Sequence, residues 1–459
     1  MKASEDMNDD RYRQLKLADH RYVWHPFTQM RTWLADDPII IERGEGNYLI
    51  DVRGNRYLDG VASLWCNVHG HRKRQLDQAL RAQIDRIAHS TLLGLANCPS
   101  IELAGRLIEV APAGLSRVFY SDSGAEAVEV ALRMAAQYWY LAGQPRRKLF
   151  LTLTESYHGD TLGSVSLGYS ERFHRHISSL LFPTLKVDPP HIYRYFKGVS
   201  ADRADELALR SARESIDRHR DELAALVIEP LMQGAAGMWA HSVEFLRAIC
   251  EAARAAGALV IFDEVATGFG RTGKFFASEH ADISPDLLCL GKGITGGYLP
   301  LAATLSTEEI FDAFLGEPQD FRAFYYGHTY TGNPLAAAVA IANLQVFEEE
   351  HVIERIQPLI EHLRAGLVER FERHPHVADI RQWGMMAGIE LVEDRSRRLP
   401  YSCSKMVGAR AARAARRAGV LIRPLGDVIV FMPPLSITDS EINLLLDAAL
   451  NGINEVTGR

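Results

Sequence analysis

Apolar positions in this 459-residue chain follow two different rhythms, one of short strands and one of helices. Between 39 and 60, IIIERGEGNYLIDVRGNRYLDG runs in short alternating pieces broken by Gly44, Gly46, Gly54 and Gly60, which predicts hairpins. From about residue 100 helix and strand patterns alternate. GAEAVEVALRMAAQYWY (124–140) puts Ala127, Val130, Ala131, Met134, Ala135 and Tyr138 on one helical stripe, and sets Glu129 beside Arg133 at i,i+4. KLFLTL, AALVIEP, ALVIFDEV and DLLCLG are short and almost wholly apolar, as strands of a parallel sheet covered on both faces must be. Beyond about residue 340 come long helical patterns, then QWGMMAGIELV and DVIVFMPP as strands, then a closing helix. That tail predicts a smaller α+β lobe beside a large α/β one. Residues 1–20 are expected as a loose polar lead-in.

Composition narrows the partners. The chain carries 51 Lys+Arg against 58 Asp+Glu, a formal charge of −7, with 47% hydrophobic and 24% charged residues. A mildly acidic total argues against nucleic acid or an anionic membrane as the main partner. No run approaches the roughly 18 apolar residues of a membrane span. MKASEDMNDDRYRQ lacks the apolar core of a signal peptide. The cysteines (Cys66, Cys98, Cys250, Cys289, Cys403) show neither a CxxC pair nor metal-type spacing, so reduced thiols in a cytoplasmic protein are expected.

Three motifs are decoys. GFGRTGK (268–274) fits GxxxxGK, but Phe275 stands where a phosphate loop needs Ser or Thr for magnesium. GKGITG (291–296) fits GxGxxG after a strand, yet GYLPLAATLS follows with Pro300 and predicts a strand instead of a helix. Arg410, Arg413, Arg416 and Arg417 read as the solvated face of a helix.

The chemistry-bearing constellation lies elsewhere. Asp263 ends the strand ALVIFD, so its carboxylate emerges at the carboxyl edge of the sheet, where α/β proteins bind ligands. Lys292 follows the strand DLLCLG between Gly291 and Gly293 and can reach into a cleft. Either residue alone reads as surface loop. Together they supply what pyridoxal phosphate needs: a lysine to form a Schiff base with the aldehyde, and an acid to keep the ring nitrogen protonated. In SDSGAEA (121–127), Ser123, Gly124 and Ala125 open the amphipathic helix and can offer N–H groups and a hydroxyl to a phosphate, or simply cap the helix. In SYHGDT (156–161), Tyr157 offers a flat face to a ring, or packs as a core tyrosine.

LVIFDEVATGFGRTGKFFASEH followed by DLLCLGKGITGGYLPLAAT resembles the class III, fold-type I aminotransferases, over about residues 20 to 450. WHPFTQM (24–30), LWCNVHGH (64–71), FYSDSGAEAVEVALRMAAQYW (119–139), YHGDTLGSVS (157–166) and IRPLGDVIVFMPP (422–434) resemble the branch that makes 7,8-diaminopelargonate in biotin synthesis. Ala266 stands where ornithine and 4-aminobutyrate aminotransferases usually carry Gln. The resemblance implies a homodimer with shared active sites, and a seven-stranded, mostly parallel large domain over 61–335. It implies a small domain built from 1–60 and 336–459. It also implies pyridoxal 5′-phosphate as cofactor, with Lys292 bonded to it and serving as general acid and base. Asp263 would pair with the ring nitrogen, Tyr157 stack on the ring, and Ser123, Gly124 and Ala125 hold the phosphate, joined by Thr329 of GHTYTGN from the neighbouring subunit. Phe27, Trp65, Gly327, His328 and Arg423 would line the substrate site. Arg423, between Ile422 and Pro424, suits a bidentate grip on the carboxylate of 8-amino-7-oxononanoate.

The implied amino donor is S-adenosylmethionine, the family default, whose sulfonium suits aromatic walls. Members built for it commonly carry Tyr at the position of Phe27, Trp at that of Leu64, and Pro at that of His328. Those departures resemble a branch that uses L-lysine, so the donor stays open. Two rival classes also stay open: a non-catalytic cofactor-binding protein, which would be expected to lose Lys292 or Asp263, and a class III aminotransferase for ω-amino acids or amines.

Overall fold

The computed structural model describes residues 2–458. Its centre is a seven-stranded sheet in the order Leu115–Ser121, Ala302–Thr307, Leu287–Leu290, Leu259–Asp263, Leu223–Ile228, Leu149–Leu153, Leu185–Val187. Ala302–Thr307 runs antiparallel to both neighbours, and the remaining adjacent pairs are parallel. The four apolar runs read from the sequence all fall in this sheet, because strands covered on both faces cannot alternate; every residue of Leu223–Ile228 is buried. Helix Gly124–Leu141 packs against it through the predicted stripe, with Glu129 and Arg133 3.6 Å apart and Glu129 also accepting from Thr161 and Gly163.

The smaller lobe joins both ends of the chain. Ile41–Glu45, Tyr48–Asp51 and Arg56–Asp59 form the predicted hairpins, and Val420–Leu421 adds a parallel fourth strand with Val420 opposite Leu58. A second sheet, Val377–Trp383, Met386–Leu391, Val428–Phe431 and Arg423–Leu425, packs against helices Val352–Phe371 and Val407–Arg417. Helix Pro334–Glu349 packs on the large lobe against Arg74–Ile84 and Cys98–Val110. Among the described residues, no helix is long and apolar enough to cross a membrane.

Residues 1–20 correct the expectation of a loose lead-in: Lys2–Tyr22 is a helix. It has no apolar stripe to read, since Tyr12 is its one buried residue among the described side chains. Tyr12 donates to the Pro38 carbonyl at 3.1 Å and lies 3.6 Å beneath the Arg53 guanidinium, while Arg11 pairs with Glu42 and Arg53 with Asp9. Tertiary anchoring of one face, not intrinsic pattern, makes this helix.

The decoys resolve structurally. Arg271 of GFGRTGK is fully buried and donates to the carbonyls of Pro433 at 2.5 Å and Asn67 at 2.8 Å, bracing two distant loops. Lys274 donates to its neighbour's carbonyl, Glu279 O, at 3.2 Å. GKGITG gives only a 3₁₀ turn, Lys292–Thr295, followed by the predicted strand. In the arginine row, Arg413 pairs with Asp36 at 3.1 Å and Arg417 with Glu455 at 2.6 Å.

Burial also sets the acid response. It holds His69, His191 and His241 down to about 3 from 6.5, and pushes Glu229 and Glu264 up to about 7 from 4.5. The neutral histidines contribute stability above pH 6.5 that is lost as pH falls toward 3. The neutral glutamates act oppositely, contributing stability below pH 4.5 that is lost as pH rises through 7. From pH 6.5 to 4.5 the two groups largely offset; below 4.5 the histidines act unopposed. A thermal-unfolding series from pH 8 to 3 should therefore show a shallow slope that steepens below about pH 4.5, where each histidine adds about 1.4 kcal/mol per pH unit. A uniform decline beginning at pH 6.5 would contradict this balance.

Candidate active site

Leu115–Ser121, Leu287–Leu290, Leu259–Asp263, Leu223–Ile228 and Leu149–Leu153 all point the same way, so the loops leaving them meet along one edge. That edge collects Ser123, Lys292, Asp263, Glu229 and Tyr157, the arrangement in which open α/β sheets bind ligands.

Asp263 is buried and held at both oxygens, each of which keeps a free lone pair. One carboxylate oxygen meets His158 Nδ1 at 2.7 Å, and the other accepts from the Val265 amide at 3.0 Å. His158 is itself buried, with Nε2 3.3 Å from the Thr152 hydroxyl. Next along the edge, the Glu229 carboxylate accepts from the Tyr157 amide at 3.1 Å and the Gly234 amide at 2.9 Å, which fixes the loop carrying the tyrosine. Tyr157 donates its hydroxyl to Asp160 at 2.7 Å; burial and that carboxylate push its pKa well up, so it is a neutral flat wall.

Lys292 has no hydrogen-bond acceptor or ion-pair partner among the described residues, and its Nζ lies 4.8 Å over the Trp65 ring. Burial lowers its pKa, with the charges of Asp263 and Glu229 acting the other way. The flanking glycines do more than clear a path. A Cβ on Gly291 would stand 3.2 Å from Gly124 Cα, and one on Gly293 2.8 Å from Phe269 Cβ, so their absence lets the lysine turn dock against the helix start on one side and Phe269 on the other. At that start Ser123 caps the helix through the Glu126 amide in a reciprocal box. The first amides of a helix have no intrahelical acceptor and present positive partial charge.

The single chain brings together Lys292, Asp263, Tyr157, Trp65 and the 123–125 turn. His328 lies 3.2 Å from Glu126 and bonds the Tyr326 hydroxyl at 3.0 Å, near the same helix start. Gly327 and Thr329 are exposed, as is Phe27 at 75%. Arg423 lies exposed on an edge strand; its side chain makes no hydrogen bond or ion pair among the described residues, but its charge acts on Tyr157. His158 and Glu229 are site residues that the sequence reading missed. The signal was present: His158 follows Tyr157 in SYHGDT, and Glu229 ends AALVIEP as Asp263 ends ALVIFD.

A pinned buried carboxylate, a half-buried unpaired amine, a flat phenol and a helix start fit a planar, aldehyde-bearing, phosphorylated ring. The family model for "Aminotransferase class-III" matches residues 32–452. The chain belongs to the class III aminotransferases. Enzymes of this class and fold use pyridoxal 5′-phosphate. An adenosylmethionine-8-amino-7-oxononanoate aminotransferase from Nitratidesulfovibrio vulgaris is 52% identical, over 97% of this chain and 82% of that one. The crystal structure of the Methanocaldococcus jannaschii protein of the same name superposes with a TM-score of 0.92 at 44% identity, covering 96% of this chain and 99% of that one. An omega transaminase from Pseudomonas jessenii, solved in complex with PMP, gives a TM-score of 0.92 at 33% identity, over 97% and 98% of the two chains. The fold expected for this class III aminotransferase, a large mostly parallel sheet with a smaller α+β lobe, is the one observed.

Proposed function

We propose that this aminotransferase converts 8-amino-7-oxononanoate to 7,8-diaminononanoate, the step of biotin synthesis named in its relatives, with S-adenosylmethionine as donor. The observation that carries the reading is similarity to proteins of that name along nearly the whole chain, at 52% and 48% identity, around an intact Lys292 and Asp263. When bound, pyridoxal phosphate supplies an electron-accepting ring. Lys292 holds the cofactor and moves a proton, and burial lowers its basicity, which favours the free amine. Asp263, braced by His158, holds the proton on the ring nitrogen. Tyr157 covers the ring, and Ser123, Gly124 and Ala125 receive the phosphate.

The remaining contributors belong to a homodimer. Trp24, Leu93, Phe321 and Tyr325 are 88%, 90%, 75% and 69% exposed, large aromatic and apolar side chains that a second copy would cover. Two copies would bury them and bring Thr329, with Gly327 and His328, to the partner's phosphate and substrate. Phe27 and Trp65 would wall the donor. The reading takes residues 61–335 as the cofactor-binding domain, 1–60 and 336–459 as the small domain, and the cytoplasm as its place.

Arg423 would grip the carboxylate of the keto acid. Arg423→Ala is expected to raise KM for 8-amino-7-oxononanoate about 10- to 100-fold, the loss of one charge-assisted contact. The donor half-reaction should change little; equal damage to both would mark a structural role. The whole reading is tested by mixing the yellow enzyme with S-adenosylmethionine or L-lysine in a stopped-flow spectrometer, then adding 8-amino-7-oxononanoate. Bleaching by S-adenosylmethionine and recovery by the keto acid are expected. Bleaching by L-lysine alone would replace the donor and point to Leu64, and recovery only by pyruvate or 2-oxoglutarate would replace the acceptor.

A further inference from the structure

Lys292 stands at φ +44°, in the left-handed region that non-glycine residues rarely occupy. Such a backbone persists only where its surroundings hold it. The turn that contains it is closed by the Ile294 amide on Gly291 O at 3.1 Å and the Gly296 amide on Gly293 O at 3.0 Å. A third restraint comes from far away in sequence. Asn343, fully buried in helix Pro334–Glu349, donates its amide to both Gly293 O at 3.0 Å and Ile294 O at 3.2 Å. The buried residues around it on the helix are apolar (Val339, Ala340, Ala342, Leu344, Val346 and Phe347), and its side chain also meets the buried His69 ring. An amide among such residues opposes packing unless its hydrogen bonds serve a purpose, and both of its donors are spent on the two residues after the lysine. The fit is tight on the other side too, because a Cβ on Gly296 would lie 2.9 Å from Asn343 Oδ1.

We propose that Asn343 is a positioning residue for Lys292, clamping the carbonyls of the 292–295 turn so that the amine is aimed between Trp65 and the Asp263 edge. The proposal rests on the reading of Lys292 as the cofactor-bonding residue. Removing the clamp lets the lysine relax to an ordinary backbone conformation and turn its amine from the cleft.

The test compares cofactor-free wild type with Asn343→Leu, Asn343→Asp and Leu344→Ala. Leu344, 2% exposed on the same helix, serves as the packing control. Each protein is titrated with pyridoxal phosphate, the growth of the visible absorption band is timed, and the bond is reduced with borohydride and mapped by peptide mass. Both Asn343 variants should capture the cofactor about tenfold more slowly or worse, a factor within the range of released backbone strain. Leu344→Ala should melt earlier yet keep the wild-type capture rate and band. Wild-type capture in either Asn343 variant, or the same slowing in Leu344→Ala, would overturn the proposal. So would failure of both Asn343 variants to fold, which would assign the amide to the fold and not to the lysine. If the wild-type label maps to another residue, it is the reading of Lys292 that fails.

Discussion

Lys292→Ala is expected to lower turnover by at least about 10⁴-fold while leaving the fold intact. The upper range for one positioned general acid–base is about 10⁴, and the loss of covalent attachment adds to it. The side chain makes no hydrogen bond or ion pair among the described residues, and its Nζ lies 4.8 Å over the Trp65 ring. Truncation therefore removes chemistry without orphaning a partner, so the melting temperature of the cofactor-free protein should stay near wild type. Borohydride reduction of wild type should place the label on Lys292. A label on Lys274, which is tied to the Glu279 carbonyl, would sink the assignment.

Asp263→Asn should retain cofactor but lose about 10²–10³-fold in turnover, the scale of removing one preorganised electrostatic group. The amide cannot carry the charge that keeps the ring nitrogen protonated. It also faces His158 Nδ1, 2.7 Å from the present carboxylate, and must choose between offering an oxygen to that ring and presenting its NH₂. His158→Ala separates the two effects: the charge remains but its brace is gone, and a smaller loss is expected. Near-wild-type kcat in Asp263→Asn would show that another group performs the task.

Much of this was legible in the sequence for a definite reason. Strands buried on both faces are unbroken apolar runs, and the last residue of each run lies on the sheet edge, so Asp263 and Lys292 could be placed without knowing the strand order. Their neighbours could not. His158 meets Asp263 across 105 positions of sequence because Leu149–Leu153 and Leu259–Asp263 flank Leu223–Ile228, a fact of topology. Arg271 reads as a loop residue until Asn67 and Pro433 are seen to converge on it. The first helix carries no period, because ion pairs and one tyrosine hold it. Phe27, Thr329 and Arg423 came from resemblance, and on one chain they lie at the surface.

The pairing of Leu58 with Val420 has a consequence during synthesis. The hairpins at the start of the chain leave the ribosome with the Arg56–Asp59 edge unpaired, and its partner is about 360 residues behind. At about 5–20 residues per second, that edge waits about 20–70 s for its closing strand. An unpaired edge is a template for pairing with other chains. The nascent protein is thus most vulnerable to aggregation while the large lobe is already able to form, and slow translation, more than any weakness of the finished fold, would limit the yield of native enzyme.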